Sequence, residues 1–228
     1  MITLSNTEID GSIDSISGQI EFLILYDRIE SLIKFYNCSQ NNYEDYIKDK
    51  KKELKDFENK IQNQKHRTFK DEDLGELTFT EEEMTMTIKD ELYGIEKYFL
   101  EFQKMTFITL CYSEVEKFFD NIIDITIGKN IKLKNLKQKI LRLSNYLRVD
   151  LTELISRVDT LRRIRNNIVH NYDYWDSEII IVGEETQIEI NDLENLNDEI
   201  LSNILNLIIE SIIEFEIEYN KKTTIIIN

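Results

Sequence analysis

The stretch Met86–Thr126, MTIKDELYGIEKYFLEFQKMTFITLCYSEVEKFFDNIIDIT, decides the fold class. Its apolar positions include Leu92, Ile95, Phe99, Phe102, Met105, Phe107, Ile108, Tyr112, Val115, Phe118, Phe119 and Ile122, most of them three or four apart, the period of a helix. The spacing predicts a helix of roughly forty residues with a break near Gly94, and Gly128-Lys129-Asn130 supplies its stop signal.

The same reading extends in both directions. The chain contains no proline, so no position lacks an N–H or forces a kink. Downstream, Leu133–Leu147 predicts a shorter helix. Asp150, with Glu153 three residues on, predicts a capping box for a helix running to about Asn171. Two apolar runs flanking Gly183, over about 178–190, predict a β-hairpin. Asn191 or Asp192 is expected to cap a last long helix ending near Lys221. Upstream, helices are expected over Ile13–Asn37 and Tyr43–Lys65, separated at Asn41-Asn42. The acidic Thr68–Glu83 segment reads as a loop and a domain boundary, with Glu81–Glu83 as a helix-start charge run. The expectation is an all-α helical bundle over 81–228, with an N-terminal helical extension over 1–80 and one small hairpin before the last helix.

The 228 residues carry 28 Lys+Arg against 44 Asp+Glu, a formal charge of −16. That balance opposes broad, sequence-blind binding to phosphate polymers or anionic membranes. The charge is uneven, however. Lys129–Arg165 holds 11 basic residues against Asp150, Glu153 and Asp159, a local +8 that leaves −24 elsewhere. A focused basic groove therefore stays open to RNA, with Lys137, Arg142, Arg162 and Arg163 as its candidate contacts. Cys38 and Cys111 lack metal-ligand spacing and read as reduced thiols of a cytoplasmic protein. No signal peptide and no membrane span are expected.

The chemistry concentrates in Leu161-Arg-Arg-Ile-Arg-Asn-Asn-Ile-Val-His-Asn-Tyr172. On a helical wheel Leu151, Leu154, Ile155, Val158, Leu161 and Ile168 form an apolar face, with Arg165 near its middle. A guanidinium there needs a partner, a cleft or an interface. Asn166 and His170, four apart, lie side by side on the adjoining face. A permanent cation, an amide and an imidazole suit metal-free cleavage of a phosphodiester: Arg165 clamps phosphate, His170 moves a proton and Asn166 orients. In RNA the adjacent 2′-hydroxyl serves as nucleophile. The competing reading is structural, with Arg165 paired to Glu116 and His170 at a helix end.

Arg165-Asn166-x-x-x-His170 resembles the signature of the HEPN superfamily, an Arg followed at short spacing by His with a polar residue after the Arg. Cys111–Phe119, CYSEVEKFF, resembles that family's first core helix, with Glu116 at the place of its acidic residue. The resemblance covers roughly Met86–Lys221. It implies a metal-independent endoribonuclease without cofactor, acting on RNA and not DNA. It also implies a homodimer whose two motif helices meet in one cleft, with Glu116 orienting Arg165 or His170. His170-Asn171-Tyr172 resembles the Arg-x4-His-x-Tyr form in toxins of HEPN–nucleotidyltransferase pairs. That form implies a toxin–antitoxin or abortive-infection effector, an antitoxin or nucleotidyltransferase partner, and Tyr172 as a modification site. The alternative is a catalytically inactive HEPN bundle serving interaction or nucleotide sensing.

Overall fold

In the computed structural model the described residues are 1–4, 13, 15–61, 66–73, 75–128, 133–170, 178–182, 186–190 and 195–227. The protein is mostly helical. It has helices α1 (Ile20–Ile61), α2 (Glu81–Thr126), α3 (Leu136–Leu147), α4 (Thr152–His170) and α5 (Asp198–Ile227), with one antiparallel hairpin, β1 (His66–Asp71) and β2 (Gly75–Thr80), between α1 and α2, and another, β3 (Glu178–Val182) and β4 (Thr186–Ile190), between α4 and α5. No described helix is long and apolar enough to cross a membrane.

The chain divides into two compact units, but not at residue 80. One unit joins Met1–Asn37 to Lys104–Asn228, and the other is Cys38–Gln103. Both α1 and α2 run unbroken through these limits. The reason lies in what each half of α1 touches. Within the first unit Phe22 meets Phe118 edge-on at 5.0 Å, and Tyr36 packs on Phe107 at 4.9 Å. These rings enter one apolar core with Phe119, Ile122, Ile140, Leu161, Ile212 and Phe215. The first half of α1 thus belongs to the bundle and is no extension of it.

Two polar anchors fix how the chain enters α1. Fully buried Glu216 accepts hydrogen bonds from the Ser15 and Ser17 hydroxyls, the Ser17 N–H at 2.8 Å and the Tyr26 hydroxyl at 2.9 Å. Glu30 accepts the N–H of Ile13. Gly18 takes a left-handed φ of 65°. The helix expected from Ile13 therefore starts at Ile20. The expected break at Asn41-Asn42 is absent as well. Asparagine costs an exposed helix only a few tenths of a kcal/mol, and within the second unit Tyr43 stacks flat on Phe99 at 4.8 Å. The Tyr46 hydroxyl donates to Glu91 at 2.8 Å, and Lys51 pairs with Glu96 at 2.6 Å.

The segment read as a loop is a hairpin. His66 pairs with Thr80 and Asp71 with Gly75. The Thr68 and Thr78 hydroxyls meet at 3.0 Å across the strands. Gly75, which opens β2 opposite Asp71, has a positive φ of 79°. Helix α2 then opens on a capping box: the Thr80 N–H donates to the Glu83 carboxylate at 2.8 Å, and the Glu83 N–H donates to the Thr80 hydroxyl at 3.2 Å. It passes Gly94 without a break. It stops where expected, the Gly128 N–H closing on the Ile123 carbonyl at 3.2 Å with φ 119°. The hairpin expected before the last helix forms with Glu178 opposite Ile190. Helix α5 starts at Asp198, its first turn capped by the Asn197 side chain, which accepts the Ile200 N–H at 2.9 Å. The expected caps Asn191 and Asp192 lie outside the described residues.

Candidate active site

Helix α3 ends on Arg148, a non-glycine residue at φ 55°, which turns the chain toward α4. The Ser144 carbonyl receives the Val149 N–H, and the Ser144 hydroxyl returns a bond to the Val149 carbonyl. Asp150 accepts the Thr152 N–H and hydroxyl at the start of α4. The capping box expected with Glu153 does not close, because Glu153 pairs with Arg157 one turn on. Arg157 also donates to the Leu207 carbonyl and the Ser211 hydroxyl of α5, at 2.6 and 2.8 Å. That clamp fixes the roll of α4.

The apolar face read from the wheel is the inward one: Leu151, Leu154, Val158, Leu161 and Ile168 are buried, and Ile155 packs partly buried against the core. The buried positions of α4 are Leu154, Val158, Leu161, Ile164, Asn167 and Ile168. Ile164 and Asn167 widen that inward face on one side, and Arg165 falls between the positions of Leu154 and Val158 on the wheel. Arg165 is half-buried, and its Nη1 donates to the Asn166 side-chain oxygen at 3.0 Å. Its Nε–H is buried without an acceptor. Its guanidinium carbon lies 5.9 Å from the centre of the Tyr112 ring on α2. His170, the last residue of α4, is exposed.

Glu116 does not meet Arg165. It pairs with Lys139 at 3.2 Å, and Asp120 holds the same ammonium at 2.8 Å. Lys139 is 8% exposed. Burial alone lowers its pKa, but the bonds from Asp120 and Glu116 outweigh it and hold the pKa above the usual value. The expected pairing of Glu116 with Arg165 is therefore replaced by an acid–lysine–acid bridge between α2 and α3.

The other candidates fall into two groups. Arg162 and Arg163 share the carboxylate of Asp159, with Nε–O distances of 2.8 and 3.6 Å. Lys137 and Arg142 are exposed on α3 and make no ion pair among the described residues. Lys137, Arg162, Asp159 and Tyr112 line one small pocket over Ile140 and Val158. Tyr172 lies outside the described residues. Among those described, no group of three or more His, Cys, Asp or Glu is placed to hold a metal ion.

Tyr112 is the residue that sequence reasoning passed over, having counted it only as part of an apolar stripe. Burial raises its hydroxyl pKa first, and Glu116 adds to that, while Arg162, Arg165 and Lys139 pull it down. Its place four residues before Glu116 was the available signal, since both then face the same neighbouring helices. No known family, no curated protein and no solved structure matches this chain.

Proposed function

We propose that this protein is a HEPN-type endoribonuclease that cleaves RNA without a metal ion. One observation carries the reading: Arg165 has a buried Nε–H with no acceptor and no carboxylate partner among the described residues. A half-buried cation left open on one edge suits an anion that is not part of the chain. Asn166 holds the guanidinium from one side and Tyr112 from its face. His170 stands on the same helix, exposed to receive substrate.

In this reading His170 takes the proton of a 2′-hydroxyl and the 2′-oxygen attacks the adjacent phosphorus. Arg165 binds the non-bridging oxygens as their charge grows. The 5′-oxygen leaves with a proton from the imidazole of a second copy, giving a 2′,3′-cyclic phosphate and a 5′-hydroxyl. Lys137 and Arg142 attract the flanking backbone. The cellular role is that of a cytoplasmic toxin or defence effector, restrained by an antitoxin or by a nucleotidyltransferase acting on Tyr172. A second reading is a silent interaction or nucleotide-sensing module. It is favoured by the absence of any polar partner for His170 among the described residues.

The test is incubation of the purified chain with total RNA in EDTA, beside Arg165→Ala and His170→Ala. The ribonuclease reading expects 2′,3′-cyclic termini from the wild type, with each variant slowed on the order of 10²-fold or more. A folded wild type that leaves RNA intact while still binding nucleotide supports the silent module.

A further inference from the structure

From Lys129 to Val149 the sequence holds seven Lys or Arg and no Asp or Glu, in a chain of net charge −16. Helix α3 lies in this stretch and buries Leu136, Lys139, Ile140, Leu143 and Leu147. Its outward side exposes two rows that step by four residues. One is Lys134, Gln138, Arg142 and Tyr146, and the other is Lys137, Leu141 and Asn145. Lys134 precedes the helix but is tied to the first row, its N–H donating to the Gln138 side-chain oxygen at 3.0 Å. Lys134, Lys137, Arg142 and Arg148 are all exposed and make no ion pair among the described residues. By contrast Lys117, Lys139, Arg157, Arg162 and Arg163 each hold a carboxylate. The uncommitted cations of α3 thus share one face, which suits a polyanion.

Tyr146 selects among polyanions. Its ring is 49% exposed, one turn beyond Arg142. An open aromatic face beside a guanidinium suits a nucleobase, the means by which single strands are held. A base inside a duplex has both faces covered and cannot reach it. The face also borders the Arg165 site, for Lys137 lines the same small pocket as Tyr112 and Arg162. Tyr146 lies about 14 Å further along the helix, so the base it takes is away from the cut.

We infer that the outward face of α3 is a track for single-stranded RNA, with Lys134, Lys137 and Arg142 on phosphates and Tyr146 stacked on an unpaired base. The inference rests on the ribonuclease reading for its ligand, yet binding alone tests it. The probe is a fluorescent 2′-O-methyl oligoadenylate, which has no free 2′-hydroxyl and so cannot be cut, used as a single strand and annealed to its complement. Anisotropy titrations of the full chain are expected to show the single strand bound about tenfold more tightly than the duplex. Tyr146→Ala should weaken single-strand binding about tenfold, leave duplex binding unchanged and keep the salt dependence, and Tyr146→Phe should match the wild type. Lys137→Gln and Arg142→Gln should weaken both probes, each lowering the slope of log affinity against log salt by about 0.7 for the single strand. All four positions are exposed, so melting temperatures should not move. Equal affinity for the two probes overturns the inference, as does a Tyr146→Ala variant that binds like the wild type. Displacement of the strand by polyglutamate at equal charge also overturns it and points to an acidic protein segment instead. Natural RNA cut by Tyr146→Ala with an unchanged KM sinks this inference and leaves the ribonuclease reading standing. Strand binding as expected with no cleavage of natural RNA does the reverse.

Discussion

The guanidinium of Arg165 stands over the ring of Tyr112, its carbon 5.9 Å from the ring centre. Asn166 fixes the second side of the same group. A ring under a partly desolvated guanidinium contributes on the order of 1–2 kcal/mol. Tyr112→Phe keeps the ring and is expected to hold RNA cleavage within a few-fold. Tyr112→Leu removes it and is expected to lower kcat about tenfold or more, with a smaller change in KM. Parallel kinetics on the two variants, each checked by thermal melting, measure the difference.

Glu116 separates two accounts of the site. Its carboxylate belongs to the Lys139 bridge. Glu116→Gln is therefore expected to lower stability by about 1 kcal/mol, because Asp120 still holds the buried ammonium. Cleavage should stay within a few-fold of wild type. A loss as large as that of Arg165→Ala would return Glu116 to the reaction.

Acid should open the entry to α1. Burial raises the pKa of Glu216, but the bonds from Ser15, Ser17 and Tyr26 outweigh it and hold the folded pKa below the unfolded one. The stabilisation is then fully present above the unfolded value, about 4.3, and is lost as pH falls through the lower folded value. Melting temperature is expected to drop below about pH 4.3. In Glu216→Gln it should be lower at neutral pH and depend less on acid. Melts across a pH series check both.

Arg148 sits in a conformation that side chains disfavour, at φ 55°. Arg148→Gly is expected to raise stability by about 0.5–1 kcal/mol, the gain at a left-handed cap exceeding the entropy glycine adds to the unfolded chain. Chemical denaturation should show a higher midpoint with an unchanged slope.

What the sequence revealed, and what it hid, follows from the range of the interactions. Periodicity identified α2, α3 and α4 because each buries one face and shows its spacing locally. It located the β3–β4 hairpin through two apolar runs around a glycine. It misjudged Asn41-Asn42, where the stack of Tyr43 on Phe99 overrides a weak local preference. It overlooked Thr80 and Glu83 as a capping box because the apolar pattern begins later than the helix does. The site was legible as composition, with Arg165, Asn166 and His170 on one helix. The apolar face of that helix was legible too, but not the grip of Arg157 on Leu207 and Ser211, some fifty residues away. Nor could sequence reveal that Lys139 would claim Glu116 first.

The second unit enters and leaves through helices already paired in the first, for Tyr36 and Phe107 touch just inside the two exits. In chain terms it is an insertion, Cys38–Gln103, within the first unit. The buried core of the first unit draws on no residue between Asn37 and Lys104, so a short turn joining those two would remove none of its members. Replacing Cys38–Gln103 by such a turn is expected to leave the first unit folded, which thermal melting of the shortened chain would read.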